Sequence, residues 1–171
     1  MQKKLQRLLP IIHQEISANG YPFPPELITA LIWIESRGNV GAVNPKSGAS
    51  GLMQVMPIAL KDYNQRSGKQ PLTMEVMRSK NETNATDQIR VGMWLLSMFW
   101  KSAYKYLKRR LGTVEMNDLI KIADSFYAAG PGRMKQLLDP IAKPTWDNAV
   151  ARYPNSNALG HAKKSMVQGV V

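Results

Sequence analysis

The feature that most limits the fold of this chain is its most apolar run, residues 91–100, held between Arg90 and Lys101. A membrane span needs about 20 such residues. A run this short is the buried central helix of a globular domain. It is expected inside a longer helix over residues 87–110, with Thr86 or Asn84 as its cap. Apolar residues recur at helical spacing elsewhere too. Leu5, Leu8, Leu9, Ile12 and Ile16 form one such set, ended by Asn19-Gly20. A second helix is expected over 26–37, with Pro24 and Pro25 in its first turn and Gly38 as its C-terminal cap. A third covers 114–129, with Leu119, Ile122, Ala123 and Phe126 on one face, and Gly130-Pro131-Gly132 stops it. Short helices are expected at 57–63, 73–78 and 158–167. Residues 39–51 and 65–70 read as loops. Beyond Asp139 the text is irregular, broken by Pro140, Pro144 and Pro154. There is no alternating strand pattern and no solenoid repeat. The expected class is mainly α, a single compact helical domain over 1–171 with little or no β-structure.

Composition then removes several chemistries. The 171 residues include no cysteine, which excludes disulfides and thiolate metal sites. Two histidines, His13 and His161, make a His-rich metal site or a serine–histidine hydrolase unexpected. No metal and no cofactor is called for. The formal net charge of +11 draws the protein to polyanions of any kind. Its densest cationic cluster is Lys101, Lys105, Lys108, Arg109 and Arg110, interleaved with Tyr104 and Tyr106. That cluster is either a polyanion-contacting patch or a solvated helix end whose cations suit the negative dipole terminus. Residues 1–7 resemble the basic start of a signal peptide. The apolar stretch behind them, 8–12, is shorter than the ~7–15 residues such a peptide needs, and Pro10 interrupts it. No export signal and no membrane span are expected.

The residue that stands out is Glu35. Ile28, Leu31, Ile32 and Glu35 stand at i, i+3, i+4 and i+7, so the carboxyl continues an apolar face. It also falls in the last turn of its helix, where the dipole disfavours a negative charge. Both effects favour the neutral carboxyl, the form a general acid needs. Two readings stand on helix position alone: a general acid, or a glutamate at the edge of the face that reaches water. The segment 44–57 adds weight to the first. Gly48 and Gly51 permit tight turns and close approach of a ligand to the backbone. Gln54 offers both donors and an acceptor to a polyol or amide. Met53 and Met56 supply flexible apolar surface, which is more often core than ligand contact.

Together these segments resemble the lytic transglycosylases of the soluble-lytic-transglycosylase type, relatives of goose-type lysozyme. The first block of that family is a helix ending in Glu-Ser, a short loop, then Gly-Ala-x-Gly-Leu-Met-Gln-x-Met-Pro. It is matched by Glu35-Ser36 and by Gly48-Ala49-Ser50-Gly51-Leu52-Met53-Gln54-Val55-Met56-Pro57. The second block, Asn-Ile-x-x-Gly-x-x-Tyr-Leu, is matched in part by Gln88-Ile89-Arg90-Val91-Gly92-Met93-Trp94-Leu95-Leu96. The third, Tyr-Asn-Ala-Gly-Pro-Gly, is matched by Tyr127-Ala128-Ala129-Gly130-Pro131-Gly132. The motif-bearing core is about 24–135. Departures are Ala128 for Asn, and Gln88 and Leu95 for Asn and Tyr. A loop one residue longer than Ser-Pro-x-Gly-Ala leaves Asn44 or Ser47 in the place of the family serine.

The resemblance implies a lysozyme-like fold and cleavage of the β-1,4 bond between N-acetylmuramic acid and N-acetylglucosamine in peptidoglycan. Most glycosidases pair two carboxyls. This family implies a single one, Glu35, as general acid and then base. The muramic acid's own C6 hydroxyl closes onto C1 and leaves a 1,6-anhydro end. Gln54, Met56 and Tyr127 are the implied substrate-binding residues, and Ser36, Asn44, Gly48, Ala49, Gly51 and Met53 the supporting ones. Trp33 and Trp146 are candidates for the sugar groove, with core packing an equal reading for each. The implied partners are peptidoglycan glycan strands and the anionic cell envelope, with no nucleic acid and a monomeric protein. A phage lysis enzyme released by a pore, a virion-associated enzyme and a component delivered by a secretion machine all fit. Rival readings are a hydrolytic muramidase, a silent wall-binding module and a basic nucleic-acid binder. The last lacks any recognised helix-turn-helix or zinc pattern.

Overall fold

The computed structural model describes residues 3–167. Met1, Gln2 and 168–171, which the expected domain over 1–171 includes, lie outside the described residues. The described residues form helices and turns, and their β-structure is limited to the isolated bridges Val43–Ser50 and Ser50–Val55. This is the mainly α class that the apolar periodicity predicts. By contact the chain divides into two compact units, Met1–Leu95 and Leu96–Val171.

In the first unit, α1 (Lys3–Gln6) and α2 (Leu9–Asn19) replace the one helix that the spacing of leucines predicts. Pro10 is the reason. Within a continuous helix its ring would strike the carbonyl four residues back, that of Gln6, where α1 ends. In the first turn of α2 it is harmless. Gly20, at φ 61°, closes α2 with a backbone bond to Ile16 O. Helix α3 (Pro25–Ser36) follows, buried over most of its circumference. Ile28, Leu31 and Ile32 are all fully buried, each contributing about 2 kcal/mol of hydrophobic stabilisation. The left-handed cap falls on Arg37 (φ 56°), one residue before the predicted Gly38. Next come α4 (Pro57–Arg66), three residues longer than predicted, and α5 (Met74–Arg78). A 3₁₀ turn (Glu82–Asn84), capped by Asn81, then feeds α6 (Ala85–Leu111).

Helix α6 is the 27-residue helix that carries the apolar run. Val91, Met93, Leu95, Leu96 and Trp100 are buried, as the central-helix reading requires. No helix among the described residues is long and apolar enough to cross a membrane. An ion cluster fixes its first turns. Arg90 bonds Glu15 through Nε (3.1 Å) and Nη2 (3.0 Å), and Asp87 through Nη1 (2.6 Å). Glu15 is only 6% exposed and also accepts from Asn19 Nδ2. No local pattern in the sequence signals this pair.

In the second unit, α7 (Met116–Ala129) buries Leu119, Ile122, Ala123 and Phe126, the face predicted for it. Helices α8 (Pro131–Leu138) and α9 (Trp146–Arg152) occupy stretches read from sequence as a stop and an irregular tail. Gly130 does end α7, but Pro131 then opens α8, because proline suits a first turn as well as it breaks an interior. Helix α10 (Asn157–Val167) packs on α7. His161 Nδ1 and Asp124 Oδ1 lie 2.8 Å apart there, with Asp124 1% exposed. The C-terminal end of α6 is anchored by Arg110, which donates to Tyr106 Oη, Asp139 Oδ1 and Ile141 O. The cationic cluster is therefore partly structural: Arg110 is tied down, and Lys101, Lys105, Lys108 and Arg109 are exposed.

Candidate active site

Glu35 is the penultimate residue of α3, and the structure leaves it half-buried where that helix emerges from the core. It lines a cleft of about 470 Å³ together with Ser36, Arg37, Val43, Asn44 and Gln54, among others. The buried apolar face predicted for the carboxyl stops at Ile32, and Glu35 stands at its exit. Among the described residues lining this cleft, Glu35 is the only carboxylate.

The second wall is the loop 37–56, whose shape follows from three devices. Asn44 closes a turn on itself: its Oδ1 accepts from Lys46 N (3.0 Å) and Ser47 N (3.3 Å), and its carbonyl accepts from Gly48 N (2.8 Å). Of the two candidates for the serine position, Asn44 lines the cleft. Ser47 instead accepts from Ala49 N with its Oγ. Next, Ser50 exchanges both backbone bonds with Val55, making a narrow reverse turn over 50–55. Gly51 (φ 79°) and Gln54 (φ 48°) hold left-handed backbone in that turn. Third, Ser36 Oγ donates to Leu52 O at 2.8 Å, pinning the loop to the residue after Glu35.

The loop is also held from α6. Gln88, 1% exposed, accepts from Leu52 N at 2.9 Å and donates to the carbonyls of Val40, Val76 and Met77. It therefore joins the cleft loop, the end of α5 and α6 in one node. Sequence reasoning registered Gln88 only as a departure. Its close fit explains Gly51: a Cβ there would lie 2.7 Å from Gln88 Cδ and 2.9 Å from Met77 O. Gly92 has a similar reason, since a Cβ would collide with the side chain of buried Met53.

The other site candidates divide clearly. Ser36, Ala49, Gly51 and Met53 are buried and build the loop. Gly48, at φ 74°, turns it. Gln54 lines the cleft, but its Nε2 is spent on Gly51 O (3.1 Å) and Ala42 O (3.3 Å). Its carbonyl oxygen is therefore the part of the amide with no bond inside the loop. Met56 is 44% exposed at the start of α4 and is not among the residues lining the cleft. Tyr127 belongs to the second unit, half-buried in the last turns of α7 and edge-on to Phe99 at 5.9 Å. Trp146 is 2% exposed and accounted for by the core, so it is not a groove residue. Trp33 lies under the Arg37 guanidinium at 4.7 Å. Arg37 and Lys46 are cleft residues that the sequence reading missed. The only local signal was the Arg-Gly pair at the helix end.

The family model for the transglycosylase SLT domain matches residues 13–140, well over half of the chain. The chain belongs to this family, and so to the lytic transglycosylases of the lysozyme-like superfamily. Peptidoglycan is accordingly the polymer it binds and degrades. No curated protein matches the chain.

Proposed function

We propose that Glu35 cleaves the MurNAc-β-1,4-GlcNAc bond, first as acid and then as base, and releases 1,6-anhydro-MurNAc ends. What supports this reading is the placement of one half-buried carboxyl at the cleft wall with no second carboxylate among the described residues lining it. A paired-carboxylate hydrolase would need a partner to activate water. In the proposed cycle Glu35 protonates the leaving glycosidic oxygen. As a carboxylate it then takes the proton of the C6 hydroxyl, whose oxygen closes onto C1. The nucleophile is intramolecular, so its attack gains from proximity. Asn44 directs its Oδ1 into its own turn, which leaves its NH₂ as the donor toward an N-acetyl group. Gln54 presents an acceptor, and exposed Met56 an apolar contact at the start of α4. Tyr127 serves as a further substrate contact.

Glu35→Gln keeps the shape of the side chain and removes its acid. Turbidity loss on purified sacculi should fall at least ~100-fold, the scale of general acid–base catalysis. Mass spectrometry of the wild-type digest should show fragments one water lighter than reducing sugars. Reducing ends from the wild type would instead assign a hydrolytic muramidase. Undiminished clearing by Glu35→Gln would remove the catalytic assignment.

A further inference from the structure

Beside the Glu35 cleft lies a second pocket of about 480 Å³, and the two share Ser36 and Arg37 as lining residues. Its charged lining is Lys4, Arg7, Arg37, Lys80 and Glu82. Arg7 is committed: Nη1 pairs with Glu82 at 2.7 Å and Nη2 donates to Gly38 O at 3.1 Å. Among the described residues no carboxylate forms an ion pair with Lys4, Arg37 or Lys80. Three cations thus line one concave surface, which borders the cleft at Ser36 and Arg37.

All three side chains are exposed, and their bases lie close against the loop or an aromatic ring. A Cβ at Gly41 would lie 2.6 Å from Lys80 Cγ, so the lysine stem rests directly on this backbone. A Cβ at Gly38 would touch Lys4 Cβ at 3.5 Å, so α1 approaches the same loop from its other end. The Arg37 guanidinium is fixed over the Trp33 ring. Arg37 takes a left-handed backbone, a conformation that disfavours residues with a Cβ. The stacked Arg37 therefore loses less freedom on meeting an anion than the exposed ends of Lys4 and Lys80 do.

We infer that this pocket is an oxyanion subsite that takes a carboxylate of the peptide stem carried by the glycan strand in the adjoining cleft. The inference rests on the glycan-cleaving reading above. A stem hangs from the lactyl group of muramic acid, and Ser36 and Arg37 border both pockets, so a stem directed toward them from a sugar in the Glu35 cleft meets the second pocket. Neutral sugars give three cations nothing to pair with, whereas stem carboxylates do.

The test uses the full chain in two arms. The first measures binding of a soluble muramoyl peptide by calorimetry, for wild type and for Lys4→Gln/Lys80→Gln. The Kd should rise about tenfold in the variant. Arg37→Gln, with folding checked by circular dichroism, should act in the same direction. The second compares kcat/KM on peptide-bearing strands and on strands stripped of peptide by an amidase. The ratio of the two should fall about fivefold or more in the variants. Equal binding by wild type and variant overturns the subsite, as does an equal effect on both strand types. A glycerol-phosphate polymer that binds while the muramoyl peptide does not assigns the pocket to a phosphate source and also overturns it. The binding arm needs no cleavage, so its failure is distinct from a failure of Glu35 as catalyst.

Discussion

At the scale of single residues, the cleft depends on side chains that need never touch a sugar. Gln88 satisfies one N–H and three carbonyls from separate segments inside the first unit. Replacing it by leucine would strand these groups away from water, at about 1–3 kcal/mol for each that finds no new partner. Gln88→Leu should therefore lower the stability read from urea unfolding by about 3 kcal/mol. Activity should fall even in the fraction that stays folded, because Leu52 loses its tether. An unchanged urea midpoint would show that Gln88 is dispensable to the loop. The sequence flagged this position as a departure from the family's asparagine, but could not say what the longer side chain reaches. Its partners are 11 to 48 residues away in the chain.

At the scale of elements, α2 is fastened to α6 through Glu15 and Arg90. Removing one partner of such a pair leaves a charge inside the protein. Arg90 is about one-third exposed, so solvent softens the effect. Arg90→Met should destabilise the protein by about 2 kcal/mol, read as a drop in Tm. Adding Glu15→Leu should restore most of it; a double variant as unstable as the single would break the argument. Helices were legible wherever the signal is local. The periodicity of α3, the length of α6 and the apolar face of α7 all follow from neighbours three and four apart. What was not legible depended on proline's two roles. Pro10 split a helix that leucine spacing joined, and Pro131 opened one where a stop was read. For Trp146 the groove and core readings stand level in the sequence, because bulk alone does not say which side of a helix meets the core; its burial settles it as core. In the candidate site, Glu35, Asn44 and Gln54 were found by motif. Arg37 and Lys46 escaped notice because surface cations are abundant in a chain of charge +11.

At the scale of the whole molecule, each unit carries a tyrosine that resists ionisation. Burial raises Tyr21 from 10.0 to about 12, with the Glu15 carboxylate adding to it. Burial likewise raises Tyr106 to about 12, helped by its hydrogen bond to Asp139. Both hold their protons more tightly folded than unfolded. Their contribution is complete below pH 10.0 and is lost as pH rises toward about 12. The urea midpoint should thus fall steeply between these values. Tyr21→Phe/Tyr106→Phe should flatten that slope; an equally steep double variant would place the alkaline transition elsewhere. The Gln88 node has one more consequence, and it concerns time. The cleft loop finds its anchor 36 residues downstream of Leu52. A chain leaving the ribosome has made Glu35 and its motif well before Gln88 emerges. Until then the wall opposite the glutamate lacks this tether and is held by bonds within residues 32–55.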